Sequence, residues 1–143
     1  LEVSCKNGFA AYVAAQDKFN LLERDYERTL QPTLVEKSIS QLPYFGLARG
    51  FLTGKYRPGK SVDSMRAGGM GSYQNERGWA LLSKIDDLAE KYQTTVSAIA
   101  LAWLRAQPSV AAPIASARNL EQLKEIMPVV ALSTEALQTL TNS

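Results

Sequence analysis

The chain has 143 residues, of which 45% are hydrophobic, 21% charged and 8% aromatic, a composition that fits one globular domain and excludes disordered and collagen-like classes. Sixteen basic against fourteen acidic residues leave a net charge of +2, too little to imply nucleic acid or an anionic membrane without a clustered basic patch, and the sequence has none. No histidine occurs, which removes the commonest neutral-pH acid/base, the Ser/His and Cys/His nucleophile pairs and most zinc sites, so no metal is expected.

The chain opens on Leu1 rather than methionine, as a processed terminus or a chain starting inside something larger would. Leu1 to Asn7 reads as the end of a helix, with Gly8 as its C-terminal cap. Cys5 lies in that helix with no second cysteine to bridge and no histidine to activate it, so a catalytic thiol is not expected. Residues 10–15 (Ala-Ala-Tyr-Val-Ala-Ala) form a short apolar run of the length expected for a strand buried on both faces. The charged group Glu23, Arg24, Asp25 and Glu27 follows; paired acids can serve glycosidase chemistry, but closely spaced acids beside arginine on a surface turn are expected to be solvated and ion-paired.

A turn or two of helix is expected over residues 30–37, with Pro32 tolerated in its first turn, and a second strand over residues 39–45. Residues 46–75 then read as one long loop, rich in glycine and basic residues between Gly46 and Gly71; loops of that length inside compact domains usually serve function. Arg57, Lys60 and Arg66 in it are expected to be solvated charges. The clearest helix spans residues 76–93, where Trp79, Leu82, Ile85, Leu88, Ala89 and Tyr92 recur at three- and four-residue steps. Thr95 caps a further helix that ends at Gln107-Pro108. Residues 110–115 make a third buried strand, interrupted by Pro113. Asn119 with Gln122 reads as a capping box, and Ser133 caps a last helix carrying Leu137 and Leu140. This alternation is that of an α/β protein with a parallel sheet. No apolar run approaches the roughly 20 residues of a membrane span and no signal peptide is visible, so a cytoplasmic, reducing location is expected.

Three stretches carry a resemblance. Residues 43–56 (Pro-Tyr-Phe-Gly-Leu-Ala-Arg-Gly-Phe-Leu-Thr-Gly-Lys-Tyr) resemble the seventh strand and following loop of the aldo-keto reductases, NADPH-dependent oxidoreductases built on the (β/α)8 TIM-type barrel. Residues 112–123 (Ala-Pro-Ile-Ala-Ser-Ala-Arg-Asn-Leu-Glu-Gln-Leu) resemble the family's eighth strand and adenosine-phosphate site, and Gln16 through Arg24 the end of its sixth strand. The resemblance covers nearly all of residues 1–143 and implies a single partial domain: the C-terminal part of the barrel, about its last three strand and helix units, with parallel strands and outer helices.

The resemblance implies NADPH/NADP as cofactor and a small carbonyl substrate, an aldehyde or ketone reduced to an alcohol, for the full-length parent. Tyr44 would stack on the nicotinamide and Gln16 bond its carboxamide. Gly46, Leu47, Gly50 and Leu52 belong to the diphosphate loop, where glycine permits close backbone approach, and Lys55 adds a point charge. Ser116, Arg118 and Gln122 would hold the adenosine and its phosphate. Many relatives have serine at position 46, a small residue at 49, and an asparagine at 126; the chain has Gly46, Arg49 and Ile126. The family's catalytic aspartate, tyrosine, lysine and histidine belong to the first half of the barrel, so no catalytic residue is assigned here and the chain alone is expected to be inactive.

Two other readings stand beside this one: a non-catalytic nucleotide-binding or interaction module, and a truncated product without activity. A half-barrel has two open sheet edges, so self-association or pairing with the missing N-terminal half is expected, with neither nucleic acid nor membrane as partner.

Overall fold

Parallel pairing of very short strands organises the backbone. The structure, a computed structural model, describes residues 1–59 and 71–143. Strand β1 (Ala14–Ala15) runs parallel to β2 (Ser40–Gln41), with Ala14 opposite Ser40 and Ala15 opposite Gln41. Ser40 and Leu42 donate to β1 and its preceding residue (Val13 O, 3.2 Å; Ala15 O, 2.9 Å), while Gln41 turns the other way, donating to Ser109 O (2.7 Å) and accepting from the Ala111 N–H (2.9 Å). A third segment thus lies on the far side of β2 through one parallel bridge, Gln41 to Val110.

These strands are shorter than the sequence suggests. Residues 10–13 precede the ladder, and Tyr12 and Val13 are 75% and 78% exposed, so the expected burial on both faces does not hold. The 39–45 run keeps ladder geometry at Ser40–Gln41 and again at the single bridge between Tyr44 and Lys18, with the Tyr44 N–H donating to Asp17 O (3.1 Å), while Pro43, which faces residues 109–114, has no N–H to give on that side. Residues 110–115 form no strand beyond the Val110 bridge: Pro113 removes a donor, one bond remains from the Ile114 N–H to Pro43 O (2.8 Å), and Ile114 is exposed. Gln41 is fully buried and, in the amide orientation that satisfies both its ends, donates to Ala15 O (2.8 Å) and accepts from the Asp17 N–H (3.1 Å), locking β2 to the first strand.

The helices follow their capping chemistry more closely. Helix α1 (Glu2–Asn7) ends at Gly8 in the left-handed region (φ 67°), as expected. A turn the sequence reading leaves out, α2 (Tyr26–Thr29), precedes α3 (Gln31–Glu36), which carries Pro32 in its first turn. Helices α4 (Glu76–Lys91), α5 (Val96–Arg105), α6 (Leu120–Ile126) and α7 (Thr134–Thr141) each start on a side chain that accepts a backbone N–H: Asn75 from Gly78, Thr95 from Ala98, Asn119 from Gln122 and Ser133 from Ala136. Each such cap is worth about 1 kcal/mol. Between β2 and α4 the expected irregular loop contains a distorted 3₁₀ segment, Ala48–Thr53.

Helix α4 presents Leu81, Leu82, Ile85, Leu88 and Ala89 to the core, and α5 is buried along residues 97–104. Trp103 on α5 is fully buried against Phe19 (ring centroids 5.4 Å), which in turn packs on Tyr26 (4.8 Å). Its indole N–H donates to Thr141 Oγ1 (3.0 Å), joining α5 to the end of α7. Phe51 from the 3₁₀ segment sits among Tyr73 (5.9 Å), Trp79 (5.2 Å) and Tyr56 (6.5 Å), so the loop's near end is packed onto α4. Arg57, expected as a solvated charge, instead pairs with Asp86 on α4 at 2.8 Å, a partner 29 residues away that no local pattern announces. Lys60 and Arg66 lie outside the described residues.

Candidate cofactor groove

Residues 44–55 leave β2 through a backbone that side chains resist. Phe45, Ala48 and Arg49 all have positive φ (57°, 46° and 57°), followed by Gly50 at 96° and Gly54 at 76°. Left-handed non-glycine residues cost on the order of 1 kcal/mol each and persist only where surrounding structure fixes them. Ala48, Phe51 and Leu52 are fully buried and supply that anchoring. Asn20, fully buried, supplies more: its Nδ2 donates to Phe45 O (3.0 Å) and Glu23 Oε2 (2.9 Å), while its Oδ1 accepts from the Leu22 and Glu23 N–H groups. A Cβ at Gly46 would stand 2.9 Å from Leu104 Cδ1, the tip of a side chain that would have to shift to admit it.

Turning the chain this way leaves donors unused. The N–H groups of Gly46 and Leu47 make no hydrogen bond among the described residues. They border a groove of about 940 Å³ between the 44–55 segment and residues 114–126. Arg49, Lys55 and Arg118 line it against one carboxylate, Glu125, so it favours an anion. Lys55 lies along the Gly50 backbone, its Nζ 3.7 Å from where a Gly50 Cβ would stand and 5.0 Å from the centre of the Tyr56 ring. Arg49 spreads over the Phe45 ring at 5.0 Å, and Phe45 meets Tyr44 edge-on at 5.1 Å. Arg118 has no ion pair among the described residues.

Of the residues singled out in the sequence, Tyr44, Gly46, Leu47, Gly50 and Lys55 line one side of the groove and Ser116, Arg118 and Gln122 the other. Gln16 is exposed and lies outside its lining, and Leu52 is fully buried in the core. Gln122 also departs from the expected capping box: its side-chain oxygen accepts from the Arg118 N–H (3.0 Å), one residue ahead of the Asn119 cap. The groove further includes Thr53, Ser97 and Glu125, which no local pattern marks.

The charged group after β1 forms a separate depression of about 550 Å³. The expected ion pairing holds, Lys18 with Glu23 (2.7 Å), Arg24 with Glu27 (2.8 Å) and Arg28 with Asp25 (2.7 Å), but the expected solvation holds only for the last pair: the Glu23, Arg24 and Glu27 side chains are 20–23% exposed, with Arg24 over the Trp103 ring at 5.1 Å. Burial pushes the Glu23 carboxyl up, but hydrogen bonds from Lys18, Asn20 and Tyr73 outweigh it and hold the group below its ordinary range. Tyr73 is pushed up to about 12, by burial first and then by Glu23 beside its hydroxyl. Lys18 is raised by its hydrogen bond to Glu23. Among the described residues no three His, Cys, Asp or Glu side chains gather as metal ligands would, and no helix is long and apolar enough to cross a membrane.

A model of the Aldo/keto reductase family matches residues 2–143. The chain belongs to the aldo/keto reductase family. It is 31% identical over 137 residues to an uncharacterized oxidoreductase, YrpG, of Bacillus subtilis, covering 91% of this chain and 39% of that protein. To the versiconal hemiacetal acetate reductase of Aspergillus parasiticus it is 25% identical over 147 residues, 96% of this chain and 42% of that one. The glycerol dehydrogenase from Gluconobacter oxydans superposes with a TM-score of 0.79 at 25% identity, over 99% of this chain and 45% of that structure. This aldo/keto reductase chain therefore spans about two-fifths of the length of the curated relatives it matches, and its fold is mixed α/β.

Proposed function

We propose that this chain is the cofactor-holding, C-terminal part of an aldo/keto reductase barrel, and that its groove takes NADP(H). The observation that carries the reading is the groove itself: unpaired Gly46 and Leu47 N–H groups and the Lys55 ammonium on one wall, Arg118 on the other, with one carboxylate among them. A dinucleotide carries its diphosphate between two nucleosides, and this groove offers backbone donors and two cations, Arg49 and Lys55, at one wall and a third, Arg118, at the other. When bound, the nicotinamide supplies hydride to a carbonyl carbon.

The chain's own residues bind and orient. Gly46 and Leu47 donate to the diphosphate, with Lys55 as a point charge over Gly50 and the left-handed turn at 48–50 keeping the backbone close. Tyr44, exposed at the end of the second strand, offers its ring face to the nicotinamide. Arg118 and Ser116 read the phosphate on the adenosine ribose, and Gln122 the base. Gln16 reaches the carboxamide only if its exposed side chain turns toward the groove. A reducing, cytoplasmic setting suits the exposed Cys5 thiol.

The proton donor for carbonyl reduction is not among these residues: the resemblance places the family's acid–base group in the first half of the barrel, and the chain has no histidine. The 143-residue chain alone should therefore bind the cofactor without reducing a carbonyl. Fluorescence titration with NADPH, run beside NADPH oxidation over a broad aldehyde panel, tests both halves. Saturable binding without turnover is expected; turnover that survives repurification contradicts the inactive assignment, and absence of binding contradicts the cofactor assignment.

A further inference from the structure

Ser97 sits at the second position of α5, is 1% exposed, and its hydroxyl has no hydrogen-bond partner among the described residues. A buried hydroxyl without a partner is uncommon, because it has given up water and received nothing in return. The same residue forms part of the groove wall, beside Gln122, Glu125 and Ile126. Its position is fixed from two sides. Thr95 caps α5 through its hydroxyl oxygen, accepting from the Ala98 N–H, and donates the hydroxyl proton to Glu125 O at the end of α6. Gly54 presses on the first turn of α5, with Val96 Cγ2 only 3.1 Å from where its Cβ would stand.

We infer that Ser97 is a specificity-determining residue of the groove, its hydroxyl completing its hydrogen bonding on the adenine of the bound dinucleotide. The inference rests on the cofactor reading above. The surroundings suit a nucleobase: Ile126 gives an apolar surface, and Ser97, Gln122 and the Glu125 carboxylate give polar groups to the edge of a planar ring. Arg118 on the same wall supplies a cation for the attached phosphate. A ligand that brought only a diphosphate would leave the Ser97 hydroxyl as it stands, unpaired.

The Ser97→Ala variant separates a ligand role from a structural one, because the two predict opposite signs. Removing an unpaired buried hydroxyl and placing the best helix former in the first turn of α5 should leave the melting temperature of the ligand-free chain unchanged or raised. Affinity for NADPH and for 2′,5′-ADP should fall together by about 3- to 10-fold, the range for one neutral hydrogen bond, while affinity for reduced nicotinamide mononucleotide, which lacks adenosine, should not change. Unchanged 2′,5′-ADP affinity in a variant whose parent binds it overturns the Ser97 assignment alone. A lowered melting temperature with parallel losses for all three ligands assigns Ser97 a structural role and also overturns it. If the parent chain binds neither NADPH nor 2′,5′-ADP, the cofactor reading fails, and this inference with it.

Discussion

The backbone N–H of Arg118 donates to the side-chain oxygen of Gln122 at 3.0 Å, and the N–H of Gln122 donates to Asn119 Oδ1 at 2.9 Å. One glutamine therefore ties down the entry to α6 and holds the backbone of the arginine proposed to read the adenosine phosphate. With its oxygen engaged, the Gln122 amide has only its Nε2 donors left for a base. Gln122→Glu keeps the acceptor and removes those donors. The melting temperature should hold while NADPH affinity falls by about 0.5–1.5 kcal/mol; calorimetry beside a thermal melt reads both, and unchanged affinity would mean that Gln122 acts only on the helix.

Gly78 offers a stability prediction that runs against helix propensity. Alanine in an exposed helix interior is normally better than glycine by about 1 kcal/mol. At position 78 a Cβ would stand 1.9 Å from Tyr73 O and 3.1 Å from Tyr73 C, both backbone atoms. Gly78→Ala should therefore destabilise the chain by about 3 kcal/mol, at the upper end for overpacking, and loosen Tyr73 against Phe51. Urea denaturation measures it; a stabilised variant would show that the 73–78 turn yields easily.

Titration of the Lys18–Glu23–Tyr73 group should shape stability at both extremes of pH. Glu23 has a folded pKa below its ordinary 4.5, so its contribution is present above that value and is lost as pH falls through the lower folded pKa. Lys18 and Tyr73 are raised above 10.5 and 10.0, so their contributions are complete below those values and decline as pH rises, for Tyr73 toward about 12. Glu23→Gln should flatten the acid side, and Tyr73→Phe should shallow the alkaline decline. Denaturation midpoints across pH check this; an acid limb unaltered by Glu23→Gln would contradict it.

Outside the ladder, β1 has no second strand neighbour among the described residues, and Phe9, Tyr12 and Val13 nearby are 66%, 75% and 78% exposed. Apolar side chains beside an open strand edge favour association. Sedimentation velocity over a wide concentration range should show mass above 15.7 kDa as concentration rises. A compact monomer at every concentration would contradict the expectation.

How far the sequence reveals this structure differs by element. Asn75 aside, the caps at Thr95, Asn119 and Ser133 and the α4 stripe of Leu82, Ile85 and Leu88 are local signals, and they fold as read. Strand extent is a tertiary property: Tyr12 and Val13 carry strand-like side chains that stay exposed, and Pro43 and Pro113 interrupt the pairing between the 39–45 and 110–115 runs that their apolar neighbours suggest. The groove is legible through the 43–56 and 112–123 motifs, which bring Tyr44, Gly46, Lys55, Ser116 and Arg118 to one place. Left-handed geometry at Phe45, Ala48 and Arg49 is not legible, since none is glycine and distant packing imposes it. Ser97 is equally hidden, a small residue in an apolar helix whose lack of a partner shows only in three dimensions.

The most direct test of the account is calorimetric titration of NADPH and NADH into the chain and its Arg118→Ala variant. Arg118 lines the groove without an ion pair among the described residues, so its guanidinium is available for the phosphate that distinguishes the two cofactors. The account predicts that the substitution weakens NADPH by about 1.5–3 kcal/mol, the range for a hydrogen bond to a charged group, and leaves NADH nearly unchanged. Equal losses for both cofactors, or no NADPH binding by the unsubstituted chain, would contradict it.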